Sequence, residues 1–241
     1  MIGRLPGLPQ SAAPAPARGS LADAIRAYLP SYSPRVVFDV GANIGQSARW
    51  FASLFPQAAI YAFEPLEELH RVLASVATSL PKTQVFRLAL GDAPGEVTMA
   101  VDPRRPTEGR VTTDPALSGE RLVTVQMETG DRFCAARSIE HIGLLKIDAE
   151  GHDLKVLKGF SKMLSQGAID LAEAEVGMNR FNTKHVPLED VRQFMDTLDY
   201  DLFYIYEQVL DVAFSGRPIL RRANVVFISP KLAELHSRHR N

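Results

Sequence analysis

The chain has 241 residues, 46% of them hydrophobic and 23% charged, which suffices for one large α/β domain with a substantial core. Its 27 basic and 28 acidic residues leave a formal net charge of −1, so no overall attraction to nucleic acid or to an anionic membrane is expected. The single Cys134 excludes an internal disulfide and a cysteine zinc site, and no apolar run is long enough to span a bilayer; a cytoplasmic setting with neither nucleic acid nor membrane as partner is the expectation.

Residues 1–19 are rich in Ala, Pro, Gly and Ser and read as a flexible tail, leaving 20–241 as a single expected domain. "LADAIRAYLP" reads as a capping helix that starts behind Ser20 and stops at Pro30. Val36, Val37, Phe38 and Val40 then form the run of a buried parallel strand, and Ala48, Phe51 and Leu54 or Phe55 recur at helical spacing. Strand-like and helical runs continue to alternate: "AIYAFEP", "LEELHRVLASVATSL" and "TQVFRLAL". Between Gly95 and Met127 the pattern changes. "GEVTMAV" and "RLVTVQM" flank a long polar stretch and predict an antiparallel excursion. Alternation resumes with "IGLLKID", the helix "HDLKVLKGFSKML", the strand "AIDLAEAEV", the helix "LEDVRQFMDTL" and the closing strands "YDLFYIYE" and "NVVFIS". Seven strands with helices on both faces make a doubly wound α/β sheet, which binds ligands at the carboxyl ends of its strands.

The first of those ends carries "DVGANIG". Glycines let a backbone approach a ligand closely, and the helix start behind them offers free N–H groups. A dinucleotide turn would read G-x-G-x-x-G, whereas Asn43 stands here where the middle glycine belongs. The other strand ends are acidic: Asp39, Glu64, Asp92, Asp148 with Glu150, and Glu175. Glu64 lies 19 residues after Gly45, about where an acid at the end of the second strand accepts hydrogen bonds from both ribose hydroxyls. A carboxylate-lined crevice suits S-adenosylmethionine, which carries a sulfonium and an ammonium but no phosphate, better than a pyrophosphate.

"FDVGANIGQ", "FEP", "LALGDAPGEV" and "LLKIDAEGHDLKVLKG" together resemble the successive signatures of FkbM-type S-adenosylmethionine-dependent methyltransferases, over roughly Val36 to Phe227. The resemblance implies a class I methyltransferase (Rossmann-like) fold, its seven-stranded sheet having an antiparallel last strand, with a β excursion between strands 3 and 4. It also implies O-methylation of a hydroxyl on a sugar, glycan or natural product. Position by position, Asp39, Gly41, Ala42, Asn43 and Gly45 match the cofactor turn, Glu64 the ribose acid, and Leu90, Gly91 and Asp92 the loop beside the adenine. Two departures stand out: Asp153 replaces the glutamate of the usual E-G-x-E, and Thr129 to Asp131 read "TGD" in place of "LD".

Methyl transfer to a hydroxyl needs a base, and the candidates are Asp148, Glu175, Glu150 and His152, with Asp148 first. His152 is otherwise expected on the surface, and Glu150 as a helix cap. Lys146 lies on the same side of its strand as Asp148 and is expected to pair with it. Arg180 and His185 read as solvated loop residues, and Trp50 as core. Mg²⁺ shared among the carboxylates is an option rather than the expectation, and no residue is assigned as a metal ligand. The loop Asp102 to Glu120, with Arg104, Arg105 and Arg110, is expected to cover a small-molecule or glycan acceptor. The alternatives are a noncatalytic interaction protein with a vestigial cofactor pocket and an NAD-dependent oxidoreductase.

Overall fold

A computed structural model of the chain describes residues 19–104, 109–112, 119–212 and 216–237; the rest of the expected tail, and Arg105, lie outside them. Helix α1 (Leu21–Tyr28) starts where its sequence says, with Ser20 capping the Asp23 N–H, and it buries Leu21 and Ile25. The main sheet then builds from β1 (Val36–Val40), β2 (Ala59–Phe63) and β3 (Thr83–Phe86), joined through α2 (Gln46–Leu54) and α3 (Glu67–Ala77). Its second half is β8 (Ile142–Ile147), β9 (Ile169–Gly177), β10 (Asp201–Leu210) and β11 (Leu220–Ile228), with α5 (Asp153–Gly159), α6 (Ser161–Ser165) and α7 (Leu188–Asp196) between them. Spatial order is β10-β11-β9-β8-β1-β2-β3, and only β11 runs against its neighbours. This is the class I methyltransferase topology. The chain leaves β1 in one direction and returns through β8 in the other, so a crevice opens between their carboxyl ends.

Every side chain of β8 is buried, as a central strand covered on both faces requires. One face packs Phe38, Phe63, Phe133 and Phe160, with the Phe63 and Phe133 rings 4.8 Å apart, under α4 (Gly130–Ala135), α5, α6 and α7. The other packs Val37, Leu144 and Leu171 against Leu21 and Ile25 of α1 and Phe51 of α2.

The expected excursion is a second sheet, in the order β4-β7-β5-β6, from β4 (Ala89–Leu90), β5 (Gly95–Val101), β6 (Arg110–Val111) and β7 (Arg121–Glu128). β5 and β7 pair antiparallel over their whole length. Three details differ from the sequence reading. "TQVFRLAL" is two strands: β3 ends at Phe86, and Ala89–Leu90 pair with β7 in the other sheet. The helix "HDLKVLKGFSKML" breaks at Phe160, where Gly159 packs so closely that an added Cβ would lie 2.0 Å from the Gly91 carbonyl oxygen. A closing helix, α8 (Pro230–Ser237), buries Leu232. No helix among the described residues is long and apolar enough to cross a membrane.

Candidate active site

The β1 turn holds three residues at positive φ: Gly41 at 77°, Asn43 at 53° and Gly45 at 93°. Asparagine tolerates this region, so the turn closes without the middle glycine. Gly41 is demanded by the protein itself, because a Cβ there would sit 1.9 Å from the backbone oxygen of Asp148. Gly45 packs likewise against Leu73 and Val76 of α3. These two glycines bring β1, β8 and α3 together, and Gly41 also lines two hollows described below.

Glu64 ends β2 in a buried position, where Oε2 accepts the Asn43 N–H at 3.1 Å and Oε1 the Leu66 N–H at 2.9 Å. Burial pushes its carboxyl up to about 7, against the pull of the two donors. Glu64 faces a cavity whose walls include Leu66, Leu69, Leu88, Leu90 and Met99. Those apolar walls beside a buried carboxylate suit a nucleoside. Leu90 lines the cavity, Gly91 is buried beside it and Asp92 is exposed. Gly109 and Val111 of the excursion line this cavity too. Arg104 pairs with Asp102 and Arg110 with Glu120, and no described residue of that loop lines the charged hollow described below.

Across β1, β8 and β9 the register aligns Asp39, Lys146 and Glu173 in one row. All three are buried, as hydrogen-bonded neighbours facing the α1/α2 side must be. Lys146 Nζ lies 3.5 Å from Asp39 and 3.3 Å from Asp148, the pairing its alternation predicts. Burial opposes the ammonium, yet Asp148, Asp39 and Glu173 outweigh it and hold the lysine above its ordinary pKa. Asp39 also accepts the Ser47 hydroxyl at 2.6 Å, and burial raises its carboxyl. Glu173 accepts the Tyr206 hydroxyl at 2.7 Å and is pushed up to about 7 by burial; its Oε2 has no hydrogen-bond partner among the described residues. Glu173 escaped the sequence reading because only the last acid of "LAEAEV" was taken as the strand end. Alternation puts Glu173 and Glu175 on the same side and was the available signal. Lys146, Asp148, Glu173 and Tyr206 open on a second hollow with Ala42, Asn43 and Ser47. Trp50 stands at this hollow, 37% exposed rather than in the core.

The third hollow is lined by Asp148, Glu150, Glu175, Lys184, His185, Glu207, Arg221, Arg222 and Asn224. Two of its acids are already matched. Glu175 binds His185 Nε2 at 2.7 Å through Oε2 and Arg222 through Oε1, and Glu150 pairs with Lys184 at 2.9 Å. His185 is therefore buried, not solvated, with Asn182 on its Nδ1; Arg180 is exposed against the Phe181 ring. His152 is likewise buried and lines the apolar cavity, and it, not Glu150, is the N-cap residue of α5. Asp153 ties the two acidic segments together, accepting the Gly151 N–H at 3.2 Å and the Glu175 N–H at 3.3 Å. The "TGD" departure is structural: Thr129 caps α4, and Asp131 accepts the Lys162 and Met163 N–H groups of α6. Glu150, Glu175 and His185 could offer a metal three atoms within 4.8 Å of one another, although Arg222 and Lys184 already neutralise the two carboxylates. Asp148 alone is common to all three hollows.

The family model described as "Methyltransferase FkbM domain" matches residues 39–202. The chain is 30% identical over 187 residues to the AMB antimetabolite synthetase AmbE of Pseudomonas aeruginosa, covering 73% of this chain and 8% of that protein. It is 26% identical over 145 residues to the hexuronic acid methyltransferase AglP of Haloferax volcanii, covering 60% and 57%. To the 2-O-methyltransferase NoeI of Sinorhizobium fredii it is 22% identical over 145 residues, covering 54% and 59%. The chain thus spans less than two thirds of each of these relatives.

Proposed function

The chain belongs to the FkbM methyltransferase domain family, and from that premise we propose that it transfers a methyl group from S-adenosylmethionine to a hydroxyl of a sugar or similar polyol. The observation that carries the reading is the position of Asp148. A transfer site has to lie where cofactor and acceptor meet, and Asp148 borders the apolar cavity, the hollow beside Lys146 and Glu173, and the charged hollow.

The residues fit the cofactor. Glu64 offers a buried carboxylate to the ribose hydroxyls beside apolar walls for the base, and the unpartnered Oε2 of Glu173 with Asp39 behind it suits the cationic tail. When bound, S-adenosylmethionine supplies an electrophilic methyl group. The chain supplies position and a proton acceptor. Lys146 steadies the Asp148 carboxylate, whose side chain stays 44% exposed and so reaches an incoming hydroxyl. Asp148 takes the hydroxyl proton as the oxygen attacks. Glu175, tied at both oxygens, and Glu150 with its lysine act as fixed acceptors and counter-charges that orient the acceptor.

The hollow's lining is ionic and amide side chains, which hydrogen-bond a polyol and give no slot to an aromatic ring. One relative is a hexuronic acid methyltransferase, which makes uronic sugars natural acceptors to test beside neutral ones. An NAD-dependent reading finds no support here, since the one buried cation of the row is enclosed by carboxylates. The test is methyl transfer from labelled S-adenosylmethionine to a panel of neutral and uronic sugars, followed by mass spectrometry. Methylated sugar is the expected product; binding of the cofactor with no transfer to any hydroxylated acceptor would leave only the noncatalytic alternative.

A further inference from the structure

Three residues border both the hollow beside Glu173 and the charged hollow: Asp148, Asn224 and Glu207. Glu207 reaches this place against the alternation of its strand. Tyr206 is buried on the α1/α2 side of β10, where its hydroxyl meets Glu173, so the next residue is due on the opposite face. The pairing of β10 with β11 slips at this point. Tyr206 stands opposite Asn224 and Val209 opposite Arg222, which leaves Glu207 and Gln208 together against Ala223. The extra residue makes a β-bulge, and Glu207 enters it at φ 48°, in the left-handed region that side chains disfavour. The carboxylate turned back in this way accepts the Asn224 amide on Oε2 at 3.1 Å. Asn224 also hydrogen-bonds the Tyr206 hydroxyl, so Glu207 is oriented from the buried row.

Bulges next to active sites re-aim side chains, and left-handed residues other than glycine persist where the side chain has a task. The surroundings define that task. Lys184 and Arg222 are committed to Glu150 and Glu175, and Lys146 to Asp39 and Asp148. Glu207 stays exposed, and its second oxygen, Oε1, has no hydrogen-bond partner among the described residues. A carboxylate fixed on one oxygen and open on the other is an acceptor for a hydroxyl that arrives from solvent. We propose that Glu207 is an acceptor-specificity residue, its open oxygen taking a hydroxyl of the sugar other than the one that is methylated. This role rests on the methyltransferase reading and deepens it. Asp148 takes the proton of the reacting hydroxyl, Glu207 borders the same two hollows and fixes which hydroxyl that is, and the cationic tail of the cofactor keeps the buried Asp39 and Glu173.

The test is steady-state methyl transfer to the methyl glycosides of glucose, galactose, mannose and glucuronic acid by the wild type, Glu207→Gln, Glu207→Gly and Gln208→Ala. Calorimetric titration of S-adenosylhomocysteine and thermal unfolding of the same proteins accompany it. For a sugar that the wild type methylates, Glu207→Gln and Glu207→Gly should raise KM about tenfold and leave kcat within about twofold, since the contact is made equally in ground and transition states. One monodeoxy analogue of that sugar should lose about tenfold in kcat/KM with the wild type and nothing further with Glu207→Gly. Gln208→Ala, in the same bulge but outside both hollows, should behave as the wild type. Glycine adopts φ 48° freely, so Glu207→Gly should unfold no lower than the wild type. Variants that keep the wild-type KM overturn the proposal. So does a rise in KM that comes with an equal loss of S-adenosylhomocysteine affinity, which would give the carboxylate to the cofactor, or with a lower unfolding temperature in Glu207→Gly, which would make its role structural. Wild-type protein that methylates none of the sugars would remove the methyltransferase reading itself, a result distinct from a wild type that turns over and ignores the changes at Glu207.

Discussion

Asp148 and Glu175 carry the same functional group at the ends of neighbouring strands, and their surroundings divide their work. Glu175 has both oxygens committed, to His185 and Arg222, whereas Asp148 has one lysine contact and an exposed remainder. Asp148→Asn should therefore lower turnover by about 10²–10⁴-fold while leaving cofactor affinity nearly unchanged, because the amide keeps the shape and loses the proton acceptor. Turnover that survives the change would move the base elsewhere. Because Arg222 and Lys184 already balance the carboxylates that a metal would use, exhaustive EDTA treatment should leave activity intact; loss that Mg²⁺ restores would show that an ion displaces those cations. Glu64 gives a pH signature. Its carboxyl stands at about 7 in the free chain, and ribose hydroxyls donate to the ionised form, so cofactor affinity should climb as pH rises from about 6 to 8. Glu64→Gln should flatten that profile and weaken binding by about 1–3 kcal/mol in the same titrations.

At the scale of elements, the β1 turn is held by backbone conformation and by close packing together. Gly41→Ala meets two penalties: φ of 77° costs a side chain roughly 1–2 kcal/mol, and the added methyl would press on the Asp148 carbonyl at 1.9 Å, forcing β1 and β8 apart where the crevice begins. Gly95→Ala is the control, since its φ of 140° is also positive but nothing lies within 4 Å. Denaturant unfolding should show the Gly41 variant at least about 2 kcal/mol less stable than the Gly95 variant, and equal losses would remove the close approach as the reason for the glycine. The same turn shows what a sequence discloses. Val36 to Val40 and the helix behind them were legible because strand and helix periods differ and the glycines punctuate them. Register was legible only in part. Lys146 and Asp148 share a strand, so alternation paired them, but the row from Asp39 to Glu173 depends on which strands lie side by side, and Glu173 emerged only with the sheet. His152 and His185 were misread for a related reason: both sit in loops of polar residues, and only tertiary packing of Gly91 and Asn182 against them buries them. The break at Phe160 reflects a glycine-to-backbone contact that no local pattern encodes.

For the whole molecule, the carboxyl edge of the sheet gathers buried acids whose charged forms folding disfavours. Burial holds Glu64, Asp153 and Glu173 each at about 7, well above their ordinary values. A raised carboxyl binds more protons in the folded chain than in the unfolded one, so its contribution to stability is fully present below the ordinary carboxylate pKa and is lost as pH rises through about 7. The free protein should accordingly unfold at a lower temperature at pH 8 than at pH 6. A net change of about 1 kcal/mol would appear as roughly 2–4 °C for a chain of this size. The cofactor reverses the trend on the same reasoning. Its hydroxyls and cationic centres favour the ionised carboxylates, so the rise in unfolding temperature on adding S-adenosylhomocysteine or S-adenosylmethionine should be larger at pH 8 than at pH 6. If the row of Asp39, Lys146 and Glu173 serves the cationic tail that both ligands share, their pH trends should coincide. Free protein that gains stability from pH 6 to pH 8 would mean that those three acids are ionised without penalty, and that the strand ends are more open to water than their burial implies.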